Sequence, residues 1–214
     1  MDRNKVQALI CLLDDPSEEV YSTVEGELLK EEVDIVPDLE KAWESTGDAV
    51  YQRRLENLIH TLQFKDLKAR MRNWLSVSED DLLYGVYLVA KYQYPELRYE
   101  DIDKKVNAIR KDVWLELNDH LTALEKVRII NHILFDVHEF GRNNTNFMAP
   151  QNNFISDVLD SRKGNPVSLS VLYSVIAQRS GVPVYGVNLP KNYVMAYLDE
   201  GGDLATVNQG EEIS

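Results

Sequence analysis

Residues 160–183 read DSRKGNPVSLSVLYSVIAQRSGVP. The stretch predicts a loop followed by one long apolar helix that stops at Gly181. Asn165 is a strong helix N-cap, and Pro166 is a preferred first helical residue. Val167, Leu169, Val171, Leu172, Val175 and Ile176 are apolar around most of the helix circumference, which predicts burial. The start of such a helix offers unpaired N–H groups and a partial positive charge. A thiol there would have a depressed pKa, and neighbouring N–H groups could hold an oxyanion. If the chain carries chemistry, this is the place to look for it.

Beyond Gly181 the pattern changes to strands. Residues 182–189 and 193–198 are β-rich and partly alternating, and DEGGD at 199–203 predicts a hairpin turn. Residues 204–208 read as a third, short strand. A sheet this small points to a piece of something longer at the C-terminal side. Just before the long helix, residues 143–153 read NNTNFMAPQNN, with five Asn and no charge. Asn tolerates left-handed backbone and builds local turns, so this is an irregular loop, suited to lining a cleft or to joining two elements. A short helix at 154–160 follows it.

Upstream the chain is helical. Val6, Leu9, Ile10 and Leu13 form one apolar stripe. Asp15, Pro16 and Glu18 then look like the cap, first residue and box acid of a second helix. A third starts at Val36-Pro37, and a fourth carries Tyr51, Leu55, Leu58, Ile59 and Leu62. Residues 67–75 read as a separate short helix. Ser78 with Asp81 is expected to cap the next, which Leu82, Leu83, Val86, Val89 and Ala90 should bury. A helix over 101–117 follows. Thr122 with Glu125 predicts a capping box for another, with Val127, Ile130, Leu134 and Val137 facing inward.

Composition narrows the function classes. The net charge is −13, and residues 1–60 hold 15 acids against 6 bases. Such a surface repels phosphate backbones, so nucleic acid is not an expected partner. No run of 18 apolar residues exists, so no membrane span is expected. The opening MDRNKVQALICLLDD lacks a small-residue cleavage site and does not read as a signal peptide. The single cysteine, Cys11, allows neither an intrachain disulfide nor a cysteine metal cluster. One unpaired thiol suits a reducing compartment, which points to the cytoplasm.

No other constellation competes with the long helix. His132 and His138 are six residues apart and diverge on a helix. His138-Glu139 opens like a zinc-protease helix, but Arg142 stands where the second His belongs. No metal and no cofactor are expected. Arg162 and Lys163, beside a helix start, could attract an anion, and a solvated pair is the plainer reading. Ser168 and Ser170 sit on the first turns, but a Ser nucleophile needs a base. All four histidines (His60, His120, His132 and His138) precede the motif.

The run RKGNPVSLSVLYSVIAQRSGVPVYGVNLP resembles the core of the transglutaminase-like superfamily. It is most similar to the SirB-type branch, whose pattern runs R-x-G-x-P-[IV]-S-L-x-x-L-Y, then G-[LV]-P, G-V-x-x-P and Gly-His-Phe. The resemblance covers roughly residues 78–198 and is most specific over 160–193. It implies a papain-like α+β arrangement, with a buried helix on a small antiparallel sheet. In active relatives the helix begins with Gly-x-Cys, and a Gly-[IV]-Pro follows fifteen residues after the Cys. Counting back from Gly181, the nucleophile position is Pro166. The family His falls on Asn192, within Pro190-Lys191-Asn192-Tyr193, and the following Asp has no clear match near Val207-Asn208. The resemblance therefore carries the fold but not the activity.

The expected fold class is α+β, predominantly α. A HEAT-like helical region at 1–75, suggested by short helix pairs around LLDDP, leads into a transglutaminase-like domain at 76–214. The expected function is binding of a protein or peptide, or of a small ligand, by a catalytically silent cleft. Asn152, Asn165, Ser168, Asn192 and Tyr193 are the candidate binding residues. A hydrolase or transferase with Ser168 as a relocated nucleophile, and a helical adaptor with a purely structural α+β part, are the alternatives.

Overall fold

A computed structural model describes residues 3–78, 80–189, 192–198 and 204–206. The chain divides into two compact units, Met1–Val77 and Ser78–Ser214. The fold is α+β and predominantly α, with two small sheets among the described residues.

Among the described residues the first unit holds four α-helices, α1 (Arg3–Leu12), α2 (Glu18–Leu28), α3 (Val36–Ser45) and α4 (Ala49–Val77), with a 3-10 turn at Val33–Ile35 before α3. Their inward stripes close one core that includes Ile10, Leu13, Leu28, Leu39, Leu55 and Leu62. Arg54 of α4 clips the end of α1. Its Nη1 donates to the Leu13 and Asp15 carbonyls at 2.9 and 2.7 Å, and its guanidinium lies 4.3 Å from the Tyr21 ring centre. These carbonyls follow the last turn of α1, where helix geometry leaves acceptors unpaired. Tyr51 Oη donates to the Ile10 carbonyl at 2.9 Å for the same reason.

Two expectations here are corrected. The separate helix at 67–75 does not exist, because α4 runs unbroken from Ala49 to Val77. Residues 63–66 (QFKD) contain no Gly or Pro, so nothing interrupts the backbone hydrogen bonds. The cap of α2 is Ser17 rather than Asp15. Asp15 instead accepts from the Ser17 N–H at 2.8 Å, one step before the helix.

The second unit begins with α5 (Leu82–Gln93), α6 (Tyr99–Glu116) and α7 (Ala123–Asn131). The cap of α5 is Asp81, which accepts from the Tyr84 N–H at 3.1 Å; Ser78 does not hold that position. The inward face of α5 is Leu83, Tyr87, Leu88 and Ala90, and Val89 is exposed, since it lies two residues past the Tyr87 ridge. The Thr122–Glu125 capping box of α7 forms as expected. A six-residue π-helix, His132–Val137, continues α7. Its wider turn, with the His138 N–H on the Ile133 carbonyl, advances the helix face. Leu134 is buried, but Val137, expected inside, is half exposed.

After it come β1 (Gly141–Arg142), a 3-10 turn at Pro150–Asn153, α8 (Ile155–Ser161), β2 (Lys163–Gly164) and α9 (Pro166–Arg179). Strands β1 and β2 form a two-residue parallel bridge. The second sheet is β3 (Val184–Leu189), β4 (Asn192–Leu198) and β5 (Leu204–Thr206), antiparallel in that order. The expected hairpin turn at 199–203 lies outside the described residues.

Helix α9 packs on β3 and β4 on one side, and on α5, α6 and α8 on others. Its end is a Schellman closure. Gly181 is at φ +78°, its N–H donates to the Gln178 carbonyl, and the Val182 N–H donates to that of Ala177. Burial is uneven, however. Leu172–Ala177 are buried, whereas Pro166 and Val167 are exposed. The helix is a core element in its C-terminal half and a surface at its start.

Candidate functional site

The start of α9 is built from short polar side chains bonded to one another. Asn165 Oδ1 accepts from the Ser168 N–H at 2.9 Å. Ser168 Oγ in turn accepts from the Asn165 N–H and donates to the Asn165 carbonyl, both at 3.1 Å. This is a reciprocal capping box with Pro166 at the first helical position. The Ser168 hydroxyl is therefore engaged by backbone on both its donor and acceptor sides.

The same arrangement limits the oxyanion chemistry of the terminus. Pro166 has no N–H, and the Ser168 N–H is taken by Asn165. The Leu169 N–H already closes onto the Asn165 carbonyl. Within the first turn the Val167 N–H is the donor these groups leave over. A helix terminus that binds an oxyanion well presents more than one such donor.

The asparagine loop is anchored to this helix start. Asn152 is only 3% exposed. Its Nδ2 donates to the Asn146 and Phe147 carbonyls, and its Oδ1 accepts from Asn143 Nδ2, each at 2.9 Å. The amide is saturated, and it holds the loop closed upon itself. Asn143 carries the connection onward, its N–H donating to the Gly164 carbonyl at 3.0 Å. Asn153 Oδ1 accepts from Asn165 Nδ2 at 2.8 Å. Gly164 is buried in this junction, and a Cβ there would stand 2.6 Å from Ser168 Oγ and 3.2 Å from Leu169 Cγ. Only glycine leaves room for the capping box.

Of the five candidate binding residues, the structure thus brings Asn152, Asn165 and Ser168 into one network. Asn192 is the first residue of β4 and pairs with Leu189. Its side chain lies outside what the structure describes. Tyr193 pairs with Asn188, and its ring lies diagonally across the ladder against Gly186. Glycine at 186 is what admits it, because a Cβ there would overlap the tyrosine Oη at 1.7 Å.

Two of the three histidines of this unit are engaged elsewhere. His132 Nδ1 is 2.9 Å from Asp136 Oδ2, and His138 Nε2 is 2.9 Å from Asp112 Oδ2. Among the described residues no group of three or more His, Cys, Asp and Glu could hold a metal ion. Sequence reasoning missed the β1–β2 bridge and the roles of Asn143 and Asn153. The cluster of five Asn was the available signal, but it does not say which amides bond to which. Two positive φ values, Glu139 at 56° and Arg162 at 59°, mark the turns that bring β1 beside β2.

A sequence profile of the transglutaminase-like superfamily matches residues 100–212. A UPF0162 protein of Xylella fastidiosa is 27% identical over 133 residues, which is 60% of this chain and 47% of the relative. F-box only protein 21 of Mus musculus is 33% identical over 160 residues, 75% of this chain and 23% of the relative. A UPF0162 protein of Pasteurella multocida is 30% identical over 101 residues, 46% of this chain and 38% of the relative. The chain thus spans less than half the length of these relatives. No solved structure matches it.

Proposed function

We propose that this chain, which belongs to the transglutaminase-like superfamily, binds a polypeptide or small ligand at the start of α9 and performs no covalent catalysis there. One observation carries the reading. The hydroxyl of Ser168 is held by the backbone of Asn165 on both sides, beside Pro166, which we place at the nucleophile position on the family pattern. Nucleophilic catalysis needs a group that can be deprotonated and a base within hydrogen-bond reach. Asn192, at the place of the family histidine, can orient an amide but cannot accept a proton near neutral pH. The exposed first turn and the cross-bonded loop remain as a shaped surface. We assign the domain to the SirB-type branch on the pattern R-K-G-N-P-V-S-L-S-V-L-Y, and the helical unit before it to HEAT-like packing. A reducing, cytoplasmic location fits the lone Cys11.

The test is to offer amine donors, glutamine peptides, protease substrates and serine-reactive probes to the protein. The expected result is no turnover and no label on Ser168. Turnover that vanishes in Ser168→Ala or Asn192→Ala would overturn the proposal. A second reading, a helical adaptor, has its own support in the closed core of the first unit. It requires a fragment of residues 1–77 to retain the partners of the full chain in a pull-down.

A further inference from the structure

Three cations gather at the β1–β2 bridge: Arg142 at the end of β1, Lys163 at the start of β2, and Arg162 just before it. All three are exposed. The bridge sets Lys163 opposite Gly141 and Arg142 opposite Gly164. Lys163 Nζ lies 3.5 Å from where Gly141 would carry a Cβ, so the ammonium sits over the neighbouring strand. The Arg142 guanidinium lies 4.5 Å from the ring centre of Phe147. Arg162 has a structural duty, since its Nη1 donates to the His138 carbonyl at 2.9 Å, at the end of the π-helix.

Arg142 and Lys163 have no carboxylate partner among the described residues. Two of the nearby acids are drawn elsewhere. Asp157 accepts from the Tyr94 hydroxyl at 2.9 Å, and Asp160 pairs with Lys105 of α6. Glu139 is the remaining acid of residues 138–165. The start of α9, which contacts both bridge strands, adds the positive end of a helix. Phe147 is half open beneath Arg142, its chain neighbour Met148 is 84% exposed, and Val167 on the first turn of α9 is 52% exposed.

Resting on the binding reading above, we infer that this face takes an acidic, extended polypeptide segment. Its carboxylates sit on Arg142 and Lys163, and an apolar side chain sits against Phe147, Met148 and Val167. A bare inorganic anion would leave that apolar surface unused. A nucleic acid would bring a phosphate at every nucleotide against a chain of net charge −13. A peptide can match two cations with as few as two carboxylates and cover the apolar side chains with the rest, so it meets far less of that repulsion.

Fluorescence anisotropy on the full chain tests this, using a short labelled peptide that alternates Glu with Leu and the same peptide with Gln in place of Glu. The expected result is that the acidic peptide binds at least about tenfold more tightly and weakens as salt is raised. The double variant Arg142→Gln, Lys163→Gln should lose that preference. Arg142→Lys with Lys163→Arg should keep it, which separates charge from any effect on folding. Equal affinity for the two peptides, lost on Val167→Arg, overturns the charge selection while keeping the binding reading. Displacement by millimolar phosphate, together with equal binding of a Glu–Ser peptide, overturns the polypeptide in favour of a simple anion. Binding of neither peptide by a cooperatively melting protein overturns the inference, and the turnover assays judge the broader reading separately.

Discussion

Pro166 changes both what the helix start can do and how well it is built. As the first helical residue it has a preset φ and no N–H to leave unpaired, and Asn165 completes the box around it. The electrostatics of the terminus do not depend on the residue at its first position, and that can be measured. In a Cys11→Ser background, a thiol introduced as Pro166→Cys should ionise below the ordinary value of about 8.5. The pH dependence of its alkylation rate reads this directly, and an ordinary pKa would show that the first turn carries no useful field. The junction itself should respond to small changes. Asn165→Ala removes the cap and the bond to Asn153, so it should cost about 1 kcal/mol, seen as a melting temperature lower by a few degrees. Gly164→Ala forces a methyl to within 2.6 Å of Ser168 Oγ and should cost about 1–3 kcal/mol. A Gly164→Ala protein as stable as the parent would mean that the capping box is dispensable. Asn165, Pro166 and Gly181 were legible in the sequence because their effects are local. The burial of Asn152 was not, because an amide saturated by its own loop has the same sequence signature as one pointing into water.

Helix α9 joins a surface to a core within fourteen residues. The apolar pattern announced the core half, where Leu172, Val175 and Ile176 are buried. It could not announce the exposure of Val167, which depends on what packs above the first turn. The π-helix escaped for a different reason. A wider turn advances the helix face without changing residue types, so Val137 looks inward by count and points outward in space. The two-residue bridge β1–β2 joins segments some twenty residues apart and is too short for a periodic signal. Tyr173 gives the buried half of α9 a pH signature. Burial pushes its hydroxyl well above the ordinary tyrosine range, and the hydroxyl reaches toward the Val127 carbonyl. The folded pKa is raised, so this contribution to stability is complete below about pH 10 and is lost as pH rises from there toward the folded value. Melting temperature should fall on the alkaline side of about pH 10, and Tyr173→Phe should flatten the fall. Tyr21 of α2, pushed up to about 12 by burial and by its bond to Glu25, contributes in the same direction in the other unit. An unchanged alkaline slope in Tyr173→Phe would show that the ring site admits water when the hydroxyl ionises.

At the scale of the whole molecule, the predominance of helix was legible because so many stretches keep one apolar face at helical spacing. The unbroken length of α4 was not, since the mostly polar run QFKD at 63–66 looks the same in a helix as in a turn. That length puts the division of the chain after Val77 and closes the first unit with its own last helix. Among the described residues its core draws on residues 6–62, and Arg54 and Tyr51 bind the carbonyls that end α1 from within the same unit. Every apolar contact and capping bond named for this unit is internal to it, so its stability should not need the rest of the chain. A fragment of residues 1–77 should therefore be helical by circular dichroism and melt in one cooperative transition. Leu55 is fully buried, and Leu55→Ala in the fragment should remove about 2–5 kcal/mol. For a unit this small, that is most of its margin, so the variant should be largely unfolded at room temperature. A fragment that is helical but melts without a transition, and that ignores Leu55→Ala, would mean that the core forms only when the second unit is attached.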